Sequence, residues 1–409
     1  MLKALERGVK GGKWFSLIDK VYRLENLHSA WKQVRRNQGA AGVDQIRIVD
    51  YERHLETNLK RLSRKLQEGS YQPGDIKRVW IPKPGSTEKR PLGIPTIEDR
   101  VVQAALRNVI EPIFEARFAQ HSYGFRPRRG CKDALRRCDG LLKQGYKWVL
   151  DADLKGYFDT IDHALLMAEV ERDISDGRIL DLIKAFLHQG ILDEGERWTP
   201  QMGTPQGGVI SPLLANVFLD PLDHEMAEKG FEMVRYADDF IILCRSKEEA
   251  EEAMEHIRAF TDQAKLTLHP IKTKIVHEEG EGFDFLGYTL RSGLKLPSLK
   301  SKKKFRAMVK EKTRRNNGRS LWAIIIELNR STRGWYEYFK HCHRNVFRDV
   351  DKFIRRRLRA ILRKRQKMTG HVNGLDNRRW PNAYFTAHGF FSLSKAHEAD
   401  LQSLRRVNY

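Results

Sequence analysis

Two adjacent aspartates near the middle of the chain are the residues best suited to chemistry. Asp238 and Asp239 lie between two strand-like runs, residues 231–235 and 240–244. This pattern predicts a β-hairpin whose turn presents both carboxylates. Like charges repel and are costly to desolvate, so the pair requires a counter-charge, and Mg²⁺ prefers such hard oxygen ligands. The alternative is an acidic hairpin tip that is simply solvated.

A third carboxylate lies upstream, where apolar and acidic residues partly alternate over residues 148–154. On a strand, this alternation places Asp151 and Asp153 on one face and Leu150 and Leu154 on the other. Asp153 and the hairpin pair together supply three oxygen donors from separate strands. Such a set can hold two metal ions on the order of 4 Å apart, which clamp the attacking and leaving oxygens of a phosphoryl displacement.

The elements that must position these acids are predicted from hydrophobic periodicity and from turn residues. Strands that alternate with helices favour an α+β fold with a largely antiparallel sheet. Two strands are expected within residues 76–95, on either side of Pro84-Gly85-Ser86. Helices are predicted over residues 15–37, 51–68, 100–118, 162–172, 179–189, 247–266, 301–315, 321–340 and 346–367.

The formal net charge of +22 is concentrated at one end of the chain. Residues 291–409 contain 31 Lys and Arg against 8 Asp and Glu, whereas residues 1–290 contain 44 against 45. Such a patch is typical of a protein that binds a phosphate backbone, and its binding should weaken steeply with salt. The alternative, a basic surface without a partner, agrees poorly with the aromatic residues interleaved among the charges.

The basic segment contains three predicted helices, which fit a small bundle. Along the third of them, residues 346–367, apolar residues recur at helical spacing and predict an inward face. Four arginines are expected on the opposite, outward face, where they would contact RNA or DNA. These residues are Arg355, Arg356, Arg359 and Arg363.

Length and composition indicate a globular protein of two or three units, since 409 residues exceed what one core usually supports. The chain has no run of about eighteen apolar residues and no apolar signal core at its start, so we expect no membrane association. Its four cysteines suggest a reducing compartment rather than a disulfide framework. These features predict a cytoplasmic protein, and no obligate protein partner is evident.

Several short motifs occur in a fixed order along nearly the whole chain, and the acidic residues described above lie among them. Together they resemble the motifs of reverse transcriptases encoded by bacterial and organellar group II introns, often called maturases. The motifs are Gly39-Ala40-Ala41-Gly42-Val43-Asp44, Ile81-Pro82-Lys83-Pro84, Arg90-Pro91-Leu92-Gly93-Ile94-Pro95, Ser122-Tyr123-Gly124-Phe125-Arg126-Pro127, Gly203-Thr204-Pro205-Gln206-Gly207-Gly208, Tyr236-Ala237-Asp238-Asp239, Phe285-Leu286-Gly287-Tyr288 and Arg333-Gly334-Trp335.

The resemblance implies a right-hand polymerase fold, with fingers and an antiparallel palm sheet, followed by an α-helical thumb or X domain. It also implies an RNA-directed DNA polymerase that binds its intron RNA, assists splicing and copies the intron during retrohoming. The alternatives are a splicing-only cofactor and a domesticated relative in defence or DNA repair. The implied divisions are an N-terminal extension (1–70), fingers and palm (71–290), thumb (291–368) and a short nucleic-acid-binding segment without endonuclease motifs (369–409).

The resemblance also implies roles for individual residues. Asp153, Asp238 and Asp239 would hold two Mg²⁺ ions, for which Mn²⁺ can substitute. The partners would be intron RNA, a DNA target or primer, and deoxynucleoside triphosphates. The expected nucleotide-binding residues are Lys83, Arg90, Leu154, Phe158, Gln206 and Lys272, and the expected primer-support residues are Phe285, Leu286 and Gly287.

The residues themselves leave other readings open for several of these positions. Lys83 and Arg90 flank a hairpin turn and can lie over a triphosphate, or they can be ordinary surface charges. Phe158 can exclude a 2′-hydroxyl by its bulk, or it can be a core side chain. Gln206 can contact a nucleotide or be a plain loop residue, and Lys272 can assist pyrophosphate departure or cap a turn.

Overall fold

The structure is a computed structural model that describes residues 12–82 and 89–407, with side chains described as far as residue 403. The chain divides into two compact units, Met1–Val276 and His277–Tyr409. The strands of the first unit are β1 (Ile76–Pro82), β2 (Lys89–Ile94), β3 (Trp148–Asp153), β4 (Ile191–Asp193), β5 (Glu196–Trp198), β6 (Glu232–Tyr236), β7 (Asp239–Cys244) and β8 (Lys274–His277), the last of which ends at the boundary.

The helices of the first unit pack around two sheets. They are α1 (Ile18–Tyr22), α2 (Leu24–Asn37), α3 (Ile48–Arg53), α4 (Leu55–Glu68), α5 (Ile97–Glu115), α6 (Cys131–Lys143), α7 (Tyr157–Thr160), α8 (His163–Glu171), α9 (Gly177–Leu187), α10 (Ser211–Glu228) and α11 (Lys247–Gln263).

The palm sheet has the strand order β6-β7-β3-β8. β7 pairs antiparallel with both β6 and β3, and its inner residues 240–244 are buried. Ala237 and Asp238 form the two-residue turn between β6 and β7, and Ala237 adopts a positive φ of 62°. The predicted hairpin and antiparallel palm sheet are therefore confirmed. The burial of this sheet follows from its run of β-branched and aromatic residues.

The fingers sheet has the order β2-β1-β4-β5. β1 and β2 form an antiparallel hairpin, as predicted, and residues at the hairpin tip, 83–88, lie outside the described residues. β4 pairs parallel with β1 through Ile76 and Ile191, and antiparallel with β5. The backbone N–H of Gly93 on β2 donates to the carbonyl of Gln206, which connects this sheet to the loop before α10.

Helices α5 and α10 run through the core of the first unit, because they are apolar on most of their circumference. On α4, by contrast, the buried Leu59, Leu62 and Leu66 form one stripe at helical spacing. The helix predicted over residues 15–37 is broken at Arg23, which is extended (ψ 133°). The side-chain amide of Asn26 donates to the carbonyls of Lys20 and Val21, which replaces the hydrogen bonds that a continuous helix would make.

The second unit begins with a small antiparallel sheet of β9 (Phe283–Phe285), β10 (Tyr288–Arg291) and β11 (Leu294–Pro297). Helices follow, and the three basic helices predicted from the sequence are all present. The helices are α12 (Leu299–Lys312), α13 (Leu321–Phe339), α14 (Arg344–Arg365), α15 (Gly374–Arg379), α16 (Asn382–Ala387) and α17 (Leu393–Val407).

The three C-terminal helices pack onto α14, and a buried acid on α14 holds the last of them. Asp351 is fully buried and accepts hydrogen bonds from the backbone N–H groups of Leu393 (3.0 Å) and Ser394 (3.2 Å) at the start of α17. A carboxylate at this position satisfies N–H groups that a helix leaves unpaired and favours the positive end of the helix dipole. Among the described residues, no helix combines the length and apolarity needed to cross a bilayer.

Candidate active site

The three predicted acids lie together at one end of the palm sheet. Asp153, the last residue of β3, is the direct cross-strand partner of Asp239, the first residue of β7. Directly opposed residues of an antiparallel pair have Cα atoms about 4.5–5.5 Å apart and side chains on the same face. Asp238 occupies the adjoining turn, and Asp151 lies two residues before Asp153 on that same face.

Burial and mutual repulsion make this cluster electrostatically unfavourable. Burial, followed by the charges of Asp151, Asp238 and Asp153, raises the pKa of Asp239 to about 7. Burial is also the main cause that raises the pKa of Asp238, to which the charge of Asp153 contributes. Lys272 offsets part of this repulsion, since its Nζ lies 2.9 Å from Oδ2 of Asp153. The cluster therefore has an excess of negative charge that a divalent cation would balance.

The donor set suits magnesium, because it consists of carboxylate oxygens, the hard ligands that this ion prefers. In the described part of the chain, no group of three or more His, Cys, Asp or Glu side chains is arranged to hold a metal ion as it stands. One reason is that Oδ2 of Asp153 already accepts a hydrogen bond from the ammonium group of Lys272. Asp153 must therefore release or share that lysine to act as a metal ligand.

A buried ion pair holds the turn between β6 and β7. Arg235, on β6, is completely buried, and its Nε donates to the equally buried carboxylate of Asp223 at 2.8 Å. Its Nη1 donates both to Oδ1 of Asn216 and to the carbonyl of Ala237, each at 2.9 Å. The guanidinium of Arg235 therefore links helix α10 to the turn that carries Asp238.

The segment before α6 packs directly against the same turn. The backbone N–H of Tyr123 donates to the carbonyl of Arg235, and the side-chain amide of Asn216 donates to the carbonyl of Gly124. A Cβ at Gly124 would lie 2.2 Å from the backbone nitrogen of Ala237, closer than any side chain can approach. Only glycine permits this contact, so the segment and the turn fix each other's position.

Sequence reasoning did not identify the roles of Arg235, Asp223 and Asn216. A signal was available, since Arg235 follows two apolar residues on a predicted strand, and a charged residue there is almost never buried without a partner. The pattern did not reveal which acid serves as the partner, because Asp220 and Asp223 both lie on α10.

Two of the predicted nucleotide-binding residues, Phe158 and Gln206, line a cavity of about 490 Å³. Its volume lies in the range typical of small-molecule sites. Phe158 is half-buried and contacts Phe125 edge-on, with ring centroids 6.3 Å apart. The amide of Gln206 donates to Oδ2 of Asp159 at 3.1 Å. The fingers sheet forms the other wall, through residues that include Arg78 and Trp198.

The remaining predicted nucleotide-binding residues lie in different surroundings. The Leu154 side chain is buried in the hydrophobic core (5% exposed), on the face opposite to Asp153, so the prediction of a nucleotide contact is wrong for that side chain. Arg90 is exposed on β2, and its charge offsets part of the rise that burial causes in the pKa values of Asp159 and Asp238. Lys83 lies outside the described residues.

In the second unit, the predicted primer-support residues form the tight turn between β9 and β10. Phe285 is buried, whereas Leu286 and Gly287 both have positive φ angles, 48° and 79°. Side-chain hydroxyls hold this turn: Tyr338 donates to the carbonyl of Leu286 at 2.7 Å, and Ser301 to that of Gly287 at 3.0 Å. The turn is rigid, and its role in primer support remains a prediction.

The prediction that four arginines of α14 point outward is wrong for two of them. Arg359 is buried (5% exposed), and its Nε donates to the carbonyl of Trp380 at 3.0 Å. Arg363 is also buried, and its Nη1 lies 2.9 Å from both carboxylate oxygens of Asp376. The reason is that α15 and α16 cover this side of α14, which helical periodicity alone does not show.

Arg355 is half-buried and Arg356 is exposed, and both line a wide cavity of about 930 Å³ on the surface of α14. One wall of this cationic cavity consists of positive side chains from α14, and none of the described residues that line it is an acid. Amide groups supply much of the other wall. The cations are Arg348, Lys352, Arg355, Arg356 and Arg359, and the amides are Asn373, Asn377 and Asn382.

Comparisons with known proteins agree with this arrangement. The model of the reverse transcriptase (RNA-dependent DNA polymerase) family matches residues 81–290. The model of the group II intron maturase-specific domain matches residues 302–380. The two matches fall on the segments that contain the acidic cluster and the cationic cavity, respectively.

Individual relatives are similar over much of the chain. Protein YkfC of Escherichia coli K12 is 35% identical in an alignment that covers 67% of this chain and 82% of that protein. The group II intron-encoded protein LtrA of Lactococcus lactis is 32% identical over 301 residues, 58% of this chain and 50% of LtrA. The putative COX1/OXI3 intron 1 protein of Saccharomyces cerevisiae is 29% identical, over 57% of this chain and 34% of that protein.

Proposed function

The chain belongs to the reverse transcriptase family and carries a group II intron maturase-specific domain, and from this premise we propose that it copies group II intron RNA into DNA and binds that RNA to assist splicing. One observation carries the polymerase assignment. It is the cross-strand pairing of Asp153 with Asp239, beside Asp238 in the turn. This pairing brings three carboxylates from distant parts of the sequence to one end of a buried sheet.

In the proposed reaction, the 3′-hydroxyl oxygen of a primer attacks the α-phosphorus of a deoxynucleoside triphosphate. A new phosphorus–oxygen bond forms, the bond from the α-phosphorus to the bridging oxygen breaks, and pyrophosphate leaves. Such transfers depend mainly on positioning and charge stabilisation. Asp153, Asp238 and Asp239 would hold two Mg²⁺ ions, which stabilise negative charge on the attacking and leaving oxygens.

The protein side chains position the substrate for this reaction. Phe158 and Gln206 line the 490 Å³ cavity, where they would receive the sugar and base of the incoming nucleotide. Arg90 contributes a positive charge that already acts on Asp238, and it would attract the triphosphate. Lys272 is paired with Asp153, so its first role is to restrain that carboxylate, and any contact with pyrophosphate would require it to leave.

Primer extension tests the polymerase assignment. Asp239→Asn removes the charge of one carboxylate while keeping its shape, and we expect extension on an RNA template to fall by about 10²–10³-fold or more. Asp238→Ala should have a similar effect. Asp262→Ala, which replaces an exposed acid on α11, is the matched control and should extend normally. Activity close to the wild-type rate in Asp239→Asn or Asp238→Ala would end the proposal.

The proposed splicing role is supported by the cationic cavity of the second unit. Five positive side chains line it without an acid, and such a surface gains affinity by releasing counterions from phosphates. The neighbouring asparagine amides offer donors and acceptors for base edges or sugars. We therefore propose that Arg348, Lys352, Arg355 and Arg356 contact the intron RNA, whereas Arg359 and Arg363 build the protein wall behind them.

Charge reversal tests this RNA-binding role. Arg348→Glu combined with Arg356→Glu should weaken binding of a folded group II intron RNA and reduce the salt slope by about one for each lost phosphate contact. Lys395→Glu makes the same charge change at an exposed position on α17 that does not line the cavity, and it should bind nearly normally. If the double variant keeps its affinity and salt slope, the assignment of the cavity fails. Asp239→Asn should retain RNA binding, which separates this role from DNA synthesis.

A further inference from the structure

Two tryptophans and an arginine form an exposed strip on the fingers sheet. Cζ of Arg78 lies 4.6 Å from the ring centroid of Trp198 and 5.7 Å from that of Trp80. The residues Trp198 and Trp80 are 37% and 41% exposed, which is unusual for the largest apolar side chain. We call these three residues the tryptophan strip.

Strand register explains why the three side chains share one face. Ile76, Arg78 and Trp80 alternate along β1 and therefore point the same way. Ile76 pairs with Ile191 on β4, and Ile191 pairs with Trp198 on β5, which places Trp198 in the same row. The strip therefore crosses from the first to the last of three neighbouring strands.

Short residues flank the strip on β2. Gly93 lies opposite Arg78, and Pro91 lies opposite Trp80. Neither residue has a long side chain that could cover the arginine or the indole ring. At Gly93 even a Cβ would lie only 2.8 Å from Ile76.

The rings are held in place, and the arginine retains its hydrogen-bonding capacity. Nε1 of Trp80 donates to Oδ2 of Asp193 at 3.2 Å, which fixes the indole. Within residues 12–82 and 89–407, no hydrogen bond or ion pair joins the Arg78 guanidinium to another residue. Burial raises the pKa of the Asp159 carboxyl, and the charge of Arg78 offsets part of that rise. An aromatic surface with an available cation suits a ligand that is both planar and anionic.

The strip continues into the cavity of the first unit. Arg78 and Trp198 line the same 490 Å³ cavity as Phe158 and Gln206, from the opposite wall. Trp80 lies beyond this lining, on the outer part of the same sheet face. The incoming nucleotide, which we place in this cavity, pairs with a template base, so the next template nucleotide would lie beside the exposed rings.

From these observations we infer that the tryptophan strip stacks an unpaired base of the template strand immediately ahead of the nucleotide being copied. Aromatic rings stack on any base, because every base has a π-face, and arginine adds a cation–π contact and attracts the phosphates. The inference rests on the proposed polymerase function and adds to it a site for single-stranded template. A protein partner or the incoming nucleotide itself would be the competing occupant.

Template overhangs of different length test the inference. The measured quantity is kcat/KM for adding one nucleotide to a primer on RNA templates with either one or about eight unpaired template nucleotides. We expect the wild type to favour the long overhang. Trp80→Ala combined with Trp198→Ala should remove this preference and lower affinity for the long-overhang duplex by about fivefold to a hundredfold, as expected for the loss of base stacking.

Two further variants make the outcome specific to stacking. Trp198→Phe keeps an aromatic ring and should retain most of the overhang preference. Trp322→Ala removes a more exposed tryptophan (62% exposed) from α13 of the second unit, and it should behave like the wild type. If Trp322→Ala loses the preference as well, or if the double alanine variant keeps it, the inference is overturned.

Two other outcomes separate this inference from its alternatives. A rise in KM for the deoxynucleoside triphosphate that is equal on both overhangs would assign the strip to the incoming nucleotide and overturn the template site. The polymerase proposal fails separately, if the wild type adds no nucleotide to either duplex. Binding of the two duplexes to Asp239→Asn, measured by fluorescence anisotropy, needs no synthesis and would still decide whether the strip holds an unpaired base.

Discussion

Each of the two units contains a buried arginine–aspartate pair beside its functional surface. In the first unit, Arg235 and Asp223 are both completely buried, and Arg235 also holds the carbonyl of Ala237 in the turn that carries Asp238. In the second unit, Arg363 and Asp376 are 9% and 1% exposed, and they join α14 to α15 beside the cationic cavity. Both pairs therefore set the position of groups that would contact substrate or RNA.

The pairs differ in what surrounds them. Arg235 lies on β6 and is completely buried, and its donors go to Asp223, Asn216 and the carbonyl of Ala237 in the turn. Arg363 lies on the same helix as the exposed Arg348, Lys352 and Arg356, which have the same sign of charge. A cation in this basic helix can therefore be a structural anchor, as Arg363 is, or remain exposed to a ligand, as Arg356 does. Its partner, rather than its residue type, decides between the two.

The largest expected effect comes from breaking the pair in the first unit. Asp223→Ala leaves the Arg235 charge buried without a partner, and we expect the free energy of unfolding to fall by about 3–5 kcal/mol. The apolar double variant Arg235→Met with Asp223→Leu should recover most of this stability. Its rate of primer extension should still be lower than that of the wild type by about tenfold or more, because the donor to the Ala237 carbonyl is lost. Recovery of both properties would show that the pair does not position the turn.

The matching change in the second unit should have a smaller effect. Asp376→Ala removes the partner of Arg363, which retains a hydrogen bond to the carbonyl of Thr369 and slight exposure. We expect a loss of about 3 kcal/mol in the free energy of unfolding, at the lower end for a buried pair. The control is Asp349→Ala, which removes an exposed acid from α14, the helix that carries Arg363. It should change the free energy of unfolding by less than about 0.5 kcal/mol. Equal losses in both variants would contradict the anchoring role.

A third test uses the buried Arg359. Arg359→Gln removes the bond to Trp380, another to Asn382 and the packing of the guanidinium on Phe385, 5.2 Å from the ring centroid. We expect the free energy of unfolding to fall by about 1–3 kcal/mol, because buried acceptors lose their donor. Thermal unfolding measures this change. A variant as stable as the wild type would mean that Arg359 is free to serve the RNA instead.

The smallest expected change in stability comes from Arg356→Gln, one turn earlier on the exposed side. Stability should stay within about 0.5 kcal/mol of the wild type, whereas the salt slope of RNA binding should fall by about one. Binding titrations at several salt concentrations measure the slope. Together with Arg359→Gln, this variant forms a matched pair on one helix. If Arg356→Gln lowered stability and Arg359→Gln lowered the salt slope instead, the assignments of anchor and RNA-binding residue would be exchanged.

The sequence was sufficient to predict most elements and the acidic cluster. Strand alternation placed Asp151 and Asp153 on one face, and the hairpin pattern placed Asp238 in a turn, as the structure confirms. The errors arose where packing overrides local pattern. The helix predicted over residues 15–37 breaks at Arg23, because the Asn26 amide binds the carbonyls at the end of α1. Leu154 was predicted to contact a nucleotide and is instead buried in the core.

By itself, the sequence determined which residues are acids at a strand end and which helix is rich in cations. Those features depend on residue type and on the local periods of strand and helix, which any stretch of chain reveals. Tertiary structure alone decided that Asp223 rather than Asp220 neutralises Arg235, and that residues beyond 370 cover Arg359 and Arg363. The physical reason is that burial and charge pairing depend on segments distant in sequence, and their contacts form only when the chain folds.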